Sequence, residues 1–362
     1  MTTKATSSPR KSRSDRFLEV LSKYARVVFV THDNPDPDAI AAGWALMRLV
    51  QEKLCKPARL VGGGAIVRAE NRHMVKLLGP PIQLVRHVRY QMNMAVVLVD
   101  CAEGTQNHLF PDGKVVPVAV IDHHGIVAEP CQVPFRDIRP SLAASVSIAA
   151  SYLREQRIVP DEKLATAILY AIRTETRGSE THYTRLDRSV LRWATEKANP
   201  SWLAEIEDAP LPAAYFADLV LALQSTTVYG ITAVCLLPRA NGPEIVGEVA
   251  DLLIRCDAIH RVLCGAVIHQ DLIVSVRTEI EGEDASALVR TTLKGIGQGG
   301  GHRRRAGGKI PGAARRPATV EAFRDEIKSR WLAACGADPQ HGHRLVARYE
   351  IVQNLYGRGE PE

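Results

Sequence analysis

The sequence predicts an α/β fold in which an open parallel-sheet domain is followed by a smaller α+β domain. Three observations carry this. At 362 residues the chain is about 2.4 times a typical domain of roughly 150 residues, which favours two domains. Arg26–Val30, Ala95–Val99 and Val115–Ile121 are nearly unbroken β-branched runs, suited to strands buried on both faces of a parallel sheet. Ala39–Leu54, Ser141–Gln156 and Asp161–Thr174 carry helical spacing and supply the crossovers.

Taken in order, the N-terminal MTTKATSSPRKSRSDRF is basic and Ser/Thr-rich with no apolar stretch behind it. It is expected as a disordered tail over residues 1–15, not as a secretory signal. The first domain then spans 16–199. Pro160-Asp161-Glu162 opens one of its helices, and Thr184 with Asp187 forms a capping-box-like start for a last helix, Asp187–Ala198, which Asn199-Pro200 ends. The Pro-punctuated stretch 200–225 is expected as a linker. The second domain, 226–335, follows as a strand at Ile231–Leu237, a helix near Val246–Cys256 and strands at Val262–His269 and Leu272–Arg277. A helix over Ala285–Lys294, a Gly-rich turn and a helix over Val320–Cys335 complete it, leaving 336–362 as a C-terminal extension.

Composition narrows the function classes. With 46% hydrophobic and 24% charged residues the chain is an ordinary globular protein, which excludes wholesale disorder. A net charge of +6 helps with polyanionic partners without specifying nucleic acid. No apolar run approaches the roughly 18 residues of a membrane helix, so no membrane partner is expected. The 7 cysteines are odd in number and never form CxxC. They predict reduced thiols in a cytoplasmic protein, with neither a disulfide framework nor a thiolate zinc site.

The chemistry lies in the residues at the end of each strand. The first strand runs into Thr31-His32-Asp33-Asn34-Pro35-Asp36-Pro37-Asp38, the second into Asp100, the third into Asp122-His123-His124. Carboxyl ends of parallel strands share one edge of an open sheet, where ligand crevices form. Singly, an aspartate after a strand is an ordinary helix N-cap and a His-His pair an ordinary core or surface element. Together they deliver more carboxylates to one edge than can sit there without a cation. Mixed imidazole and carboxylate donors suit manganese, iron, cobalt or zinc, and hard oxygens favour manganese or magnesium. Asp36 and Asp38, two apart in a loop, can face different ions. Two ions about 3.5–4 Å apart would make a two-metal hydrolase, one generating hydroxide and both stabilising a phosphoryl transition state.

THDNPDPDAIAAGWAL, VVLVDC, VIDHHG and, downstream, GGGHRRRAGG resemble the successive motifs of the DHH phosphoesterase superfamily. The order of a DHH domain and a DHH-associated domain over residues 15–325 is similar to bacterial nanoRNases that are also 3′-phosphoadenosine 5′-phosphate (pAp) phosphatases. The resemblance implies two manganese ions, with magnesium or cobalt as substitutes. It makes His32 and Asp36 ligands of one ion, Asp38 and His123 ligands of the other, and Asp100 the bridge. His124 would face the scissile phosphate as stabiliser or proton donor, with Asp122 orienting ligands behind it. A further family motif supplies an aspartate where Ala171-Ile172-Arg173-Thr174-Glu175-Thr176 stands, so Glu175 is expected as a ligand one methylene longer.

In the second domain the resemblance assigns substrate binding to Arg277 and to the glycine-rich loop with Gly300, Gly301, His302, Arg303 and Arg305. Glycines allow close backbone approach to a phosphate or base. A lone glycine-rich stretch is by itself only a turn, and Arg277 is equally well a solvated strand-end arginine. Asn34 and Arg173 are weaker candidates, and Gly62-Gly63-Gly64 is read as a loop. The activity implied is hydrolysis of short oligoribonucleotides to mononucleotides and of pAp to AMP, by a homodimer. Aromatic residues at 5% offer no platform for tracking a long single strand. A dinucleotide phosphodiesterase acting on cyclic or linear substrates, a single-strand exonuclease, an exopolyphosphatase and a non-catalytic nucleotide-binding regulator remain as alternatives.

Overall fold

The computed structural model describes residues 11–347 except 104, 106, 111–114, 126–131, 177–182, 302 and 314–316. The chain divides into two compact units, Met1–Pro210 and Leu211–Glu362.

The first unit runs α1 (Arg13–Ser22), β1 (Arg26–Thr31), α2 (Pro37–Leu54), β2 (Ala58–Gly62), α3 (Ala69–Leu78), β3 (Ile82–Leu84), β4 (Met94–Val99), β5 (Ala119–Asp122), β6 (Phe135–Ile138), α4 (Ser145–Glu155), α5 (Glu162–Glu175), α6 (Arg185–Thr195) and α7 (Pro200–Glu207). Its described strands form a parallel sheet in the order β3-β2-β1-β4-β5-β6. The sheet is covered on both faces, as its apolar strands require. β4 is buried throughout and β1 at all but Arg26. One face packs Phe29, Val97 and Ile121 under Ile40, Leu46, Ile148 and Ile168 of α2, α4 and α5. The other buries Val28, Val30, Val96, Leu98 and Val120 with Cys101 and Phe110. The chain leaves β1 toward β2 and β3, then returns to add β4 on β1's other side. That reversal places a topological switch point between the carboxyl ends of β1 and β4, the place where open α/β sheets form a ligand crevice.

The second unit runs α8 (Ala213–Ser225), β7 (Thr227–Tyr229), β8 (Thr232–Leu237), α9 (Glu244–Leu253), β9 (Arg261–Ile268), β10 (Asp271–Thr278), α10 (Ala285–Leu293), β11 (Gln298–Gly301), β12 (Arg305–Ile310), α11 (Pro317–Cys335) and β13 (Gly342–Arg344). Its sheet has the order β11-β12-β10-β9-β8-β7-β13, antiparallel except for the β8–β9 pair. An open parallel-sheet α/β unit followed by a smaller α+β unit is the fold class that the sequence predicts.

Several details differ from expectation. The tail is shorter, because α1 begins at Arg13 under a Ser12–Asp15 capping box and buries Phe17 and Leu21; residues 1–10 lie outside the described residues. The expected linker is helical. Pro200 occupies the first turn of α7, where proline starts a helix, and the Asn199 side chain accepts from Ser201 and Trp202 N–H. The strand expected over Val115–Ile121 contracts to β5, since Pro117 has no N–H for a ladder. The expected Gly-rich turn is the β11–β12 ribbon, which pairs Gly299 with Gly308 and Gly300 with Gly307. Its glycines admit a helix: a Cβ on Gly308 would lie 2.4 Å from Leu293 Cδ1 of α10. The C-terminal extension contributes β13, paired with β7. Among the described residues no helix is long and apolar enough to cross a membrane.

Candidate metal centre

The β1–α2 loop, the end of β4 and the end of β5 bring their imidazoles and carboxylates together at the switch point. Asp100 lies at the middle. Its Oδ2 is 3.5 Å from His32 Nε2, and its Oδ1 is 3.6 Å from His123 Nε2 and 3.8 Å from His124 Nδ1. His32 Nε2 is also 3.7 Å from Asp36 Oδ2, and His123 Nε2 is 3.8 Å from Asp38 Oδ2. Two groups therefore have the spacing of a cation cage, His32–Asp36–Asp100 and Asp100–His123–His124, and Asp100 belongs to both.

Local structure aims each group. Asp100 is held at φ +59, a left-handed conformation costly for most residues but tolerated by aspartate. Its N–H donates to Ile121 O at 2.9 Å, so the turn after β4 is tied to β5. His32 Nδ1 faces Asp33 O at 2.9 Å and His123 Nδ1 faces Leu142 O at 3.2 Å. Donation to these carbonyls fixes the tautomer that leaves Nε2 as the electron-pair donor facing the carboxylates. Asp36 doubles as N-cap of α2, its Oδ1 accepting from Ala39 N–H at 3.0 Å. Asp38 is fully buried and reaches the N-terminus of α4, where Val146 N–H donates to its Oδ1 and Ser145 N–H to its Oδ2, both at 2.7 Å. Ser145 Oγ donates to Asp100 Oδ1 at 2.8 Å. Asp122 Oδ1 accepts from His123 N–H, His124 N–H and His124 Nδ1, the last at 2.7 Å.

Burial of so many acids shifts proton affinities. Desolvation pushes Asp38 well up, and the Asp100, Glu175 and Asp36 charges add to it. Desolvation would also raise Asp100, but the hydrogen bond with His32 and the charges of His124 and His123 outweigh it and hold the carboxyl far below its usual range. Burial would lower His32, yet Asp100 and Asp36 raise it well above an ordinary histidine. His124 follows the same pattern: the Asp122 hydrogen bond and the Asp100 charge overcome burial and push it up to about 9. Without a cation, the raised proton affinities of His32 and His124 offset part of this negative charge.

The donor set fits divalent cations. It is oxygen and imidazole nitrogen only, and the adjacent Cys101 is kept a thiol by burial and by the Asp122 and Asp100 charges. Asp122 Oδ2 is a buried oxygen with no hydrogen-bond partner among the described residues. Glu175, half-buried at the end of α5, contributes its charge to the same pocket.

Two supports were not legible beforehand. Gly62-Gly63-Gly64 is more than a loop, since it braces the His32–Asp36 segment. A Cβ on Gly63 would lie 1.9 Å from Asp33 Oδ1, and Gly64 sits at φ +69 against Asn34. Asn34, at φ +56, locks the contact through Ala65 N–H donating to its Oδ1 at 3.0 Å and its own N–H donating to Gly63 O. Gly64→Ala, at φ +69 and with its Cβ 2.9 Å from the Asn34 backbone N, is expected to cost about 1–3 kcal/mol, the usual range for a strained left-handed residue, and to weaken manganese binding. A thermal melt with a manganese titration checks both, and unchanged metal affinity would remove the brace from the site. Ser145 is the second support, holding Asp38 through its N–H and Asp100 through its hydroxyl.

In the second unit Gly300 and Gly301 lie on β11, Arg305 on β12 and Arg303 on the turn between them, exposed, with Nε donating to Glu283 O at 3.2 Å. His302 lies outside the described residues. Arg277 is not a solvated strand end. It is buried, donating to Asp251 at 2.6 Å, Ser275 Oγ at 2.7 Å and Val276 O at 2.9 Å. Asp251 also lies 3.9 Å from the half-exposed Arg305. Arg173 points away from phosphate chemistry, paired in a fork with Glu207 of α7 at 2.7 and 3.1 Å.

Residues 26–172 match the DHH family, N-terminal domain. An uncharacterized protein of Methanocaldococcus jannaschii is 27% identical over 321 residues, covering 87% of this chain. The chain spans only 65% of that relative's length. Among solved structures, an exopolyphosphatase-related protein from Bacteroides fragilis superposes with a TM-score of 0.69 at 14% identity, over 89% of this chain and 97% of that one. RecJ in complex with Mn²⁺ from Thermus thermophilus matches at a TM-score of 0.47 and 17% identity, over 91% of this chain and 55% of its own.

Proposed function

We propose that this chain, whose first unit is a DHH-family phosphoesterase domain, is a manganese-dependent hydrolase of short oligoribonucleotides and of pAp. The observation that carries the reading is the Asp100 carboxylate, shared between two imidazole–carboxylate groups at the sheet's switch point. His32 and Asp36 would hold one cation and Asp38 and His123 the other, with Asp100 shared and Glu175 as a further carboxylate. Bound divalent ions would supply Lewis-acid polarisation of the phosphoryl oxygens and a more acidic attacking water.

The chain's own residues do the rest. His32 and His123 present Nε2 because backbone carbonyls hold their Nδ1 atoms. Asp38 and Asp100 keep their positions through Ser145 and Val146. His124, held through Nδ1 by Asp122, is the acid: as water attacks phosphorus and the scissile P–O bond breaks, its Nε2 proton passes to the leaving oxygen. A pKa of about 9 keeps the ring charged, and nearby cationic charge draws it down toward the neutral range where general acids work best. The scarcity of aromatic residues, 5%, supports short substrates over long strands.

Purified protein with manganese, offered pAp, di- to pentanucleotides, long single-stranded RNA, linear and cyclic dinucleotides and polyphosphate, tests the reading. AMP release from both pAp and diadenylate, ahead of polyphosphate and long RNA, is expected. A preference for polyphosphate or cyclic dinucleotides, or no turnover at all, would overturn it.

Glu175 gives a separate check. Glu175→Gln is expected to weaken manganese binding and lower activity about tenfold to a hundredfold, the usual cost of disturbing a metal site, whereas Glu175→Asp retains much of both. A Gln variant that titrates manganese like wild type would place the remaining ligand elsewhere.

A further inference from the structure

Beside the metal centre, and within the same unit, lies a cavity of about 620 Å³, inside the range of roughly 300–1,000 Å³ common to small-molecule sites. Asp33, Gly63, Leu84, Arg86, His108 and Leu109 line it. It is joined to the metal centre by the backbone. Asp33 follows His32, and His32 itself makes an antiparallel β-bridge with His108. None of these lining residues contributes a side-chain atom to the two candidate cation groups.

His108 is the residue that points to a ligand. Its side chain is 4% exposed, yet its Nε2 meets no hydrogen-bond partner among the described residues. The Ala102 carbonyl lies near the ring, but no hydrogen bond of good geometry reaches Nε2 among the described residues. Phe110 N–H donates to Nδ1 at 3.1 Å. A nitrogen that accepts carries no proton, so the ring bears its proton on Nε2. The ring therefore offers one fixed N–H donor. A buried donor left unmade costs a protein free energy and calls for an explanation.

The remaining walls are of three kinds. Leu84 and Leu109 are aliphatic, suited to the face of a planar heterocycle. Asp33 is an acceptor for hydroxyl or amino hydrogens, and Arg86, exposed, carries the forked cation that suits phosphate oxygens. Gly63 presents bare backbone. Aliphatic side chains, an N–H donor, a carboxylate and a guanidinium are, in kind, what the base, ribose and phosphate of a nucleoside 5′-phosphate require. A polyphosphate chain would use only Arg86, and Asp33 would repel it.

We propose that this cavity is a nucleoside 5′-phosphate subsite that seats one nucleotide unit next to the metal centre. The proposal rests on the phosphoesterase reading for its purpose but not for its test. Binding of AMP, adenosine and ribose 5-phosphate to the whole chain is measured by calorimetry in EDTA, so that no cation at the neighbouring centre contributes. AMP is expected to bind more tightly than adenosine or ribose 5-phosphate. Arg86→Ala is expected to weaken AMP by about tenfold, the order of one charge-assisted hydrogen bond, and to leave adenosine unaffected. His108→Gln is expected to weaken both AMP and adenosine by a similar factor, and Arg86→Ala, at an exposed position, guards against a misfolded His108 variant. The proposal is overturned by the absence of saturable AMP binding at millimolar concentration, by ribose 5-phosphate binding as tightly as AMP, or by Arg86→Ala binding AMP like wild type. If the chain hydrolyses nothing but these affinities hold, the subsite stands and the phosphoesterase reading falls. If it hydrolyses pAp and they do not, the reverse follows.

Discussion

Replacing Asp100 with alanine is expected to lower kcat/KM for the proposed hydrolysis by about 10³–10⁴-fold, equivalent to roughly 4–5.5 kcal/mol of transition-state stabilisation. One carboxylate lies within 3.5–3.8 Å of His32, His123 and His124 and belongs to both candidate cation groups, so one substitution strips an oxygen from each. Asp122→Ala is the matched comparison. It removes the acceptor behind His124 but no shared ligand, and losses of about 10–100-fold are usual for such supporting groups. Steady-state kinetics in manganese, with circular dichroism to confirm folding and calorimetry to count bound ions, separates the two. Equal and mild losses from both variants would sink the bridging assignment.

Manganese is expected to raise the Tm by about 5–10 °C at pH 8, since one ion at a hundred times its Kd contributes about 2.7 kcal/mol and a domain of this size shifts by about 2–4 °C per kcal/mol. At pH 5.5 the gain is much smaller. The sign follows from groups whose proton affinity is raised in the folded state. His124 rises from an ordinary 6.5 to about 9, so its contribution is fully present below pH 6.5 and is lost as pH climbs through 9. Asp38 is raised above its ordinary 3.8, so its contribution too is lost as pH rises. Asp100 is lowered and loses its contribution only in acid, far outside this window. The cation-free protein therefore weakens from pH 6.5 to 9, while cations, which compete with these protons, bind better. Thermal melts with EDTA or manganese across that range measure the divergence, and a manganese effect independent of pH would contradict it.

Much of the candidate site was legible because unbroken β-branched runs alternating with period-3.6 stretches locate strand ends, and parallel strands put those ends on one edge. Val30, Val99 and Ile121 were readable as strand ends, so His32, Asp100 and Asp122–His124 were readable as neighbours. Contacts made across the sheet were not. Nothing near Gly63 announces that Asp33 leans on it, and nothing near Ser145 announces that its N–H and hydroxyl hold Asp38 and Asp100. The short strands β2, β3 and β6 escaped because each is brief, and the half-exposed β3 carries no run of apolar residues. The β11 ribbon escaped because glycine is among the poorest strand formers, and its pairing depends on α10 lying over it. Arg277 illustrates the same limit: a lone strand-end arginine gives no sign that Asp251, 26 residues earlier, will hold it.

The grip of α4 on the two aspartates has a consequence for ionic radius. Both oxygens of Asp38 are already turned toward backbone N–H groups, and Asp100 is pinned by the Ser145 hydroxyl. Neither carboxylate can swing to embrace an ion with both oxygens. Calcium wants six to eight oxygens at about 2.3–2.6 Å and relies on that freedom, whereas magnesium-sized ions are content with single oxygens at about 2.0–2.1 Å. A cage stiffened in this way is expected to admit magnesium- or manganese-sized ions ahead of calcium, before any substrate arrives.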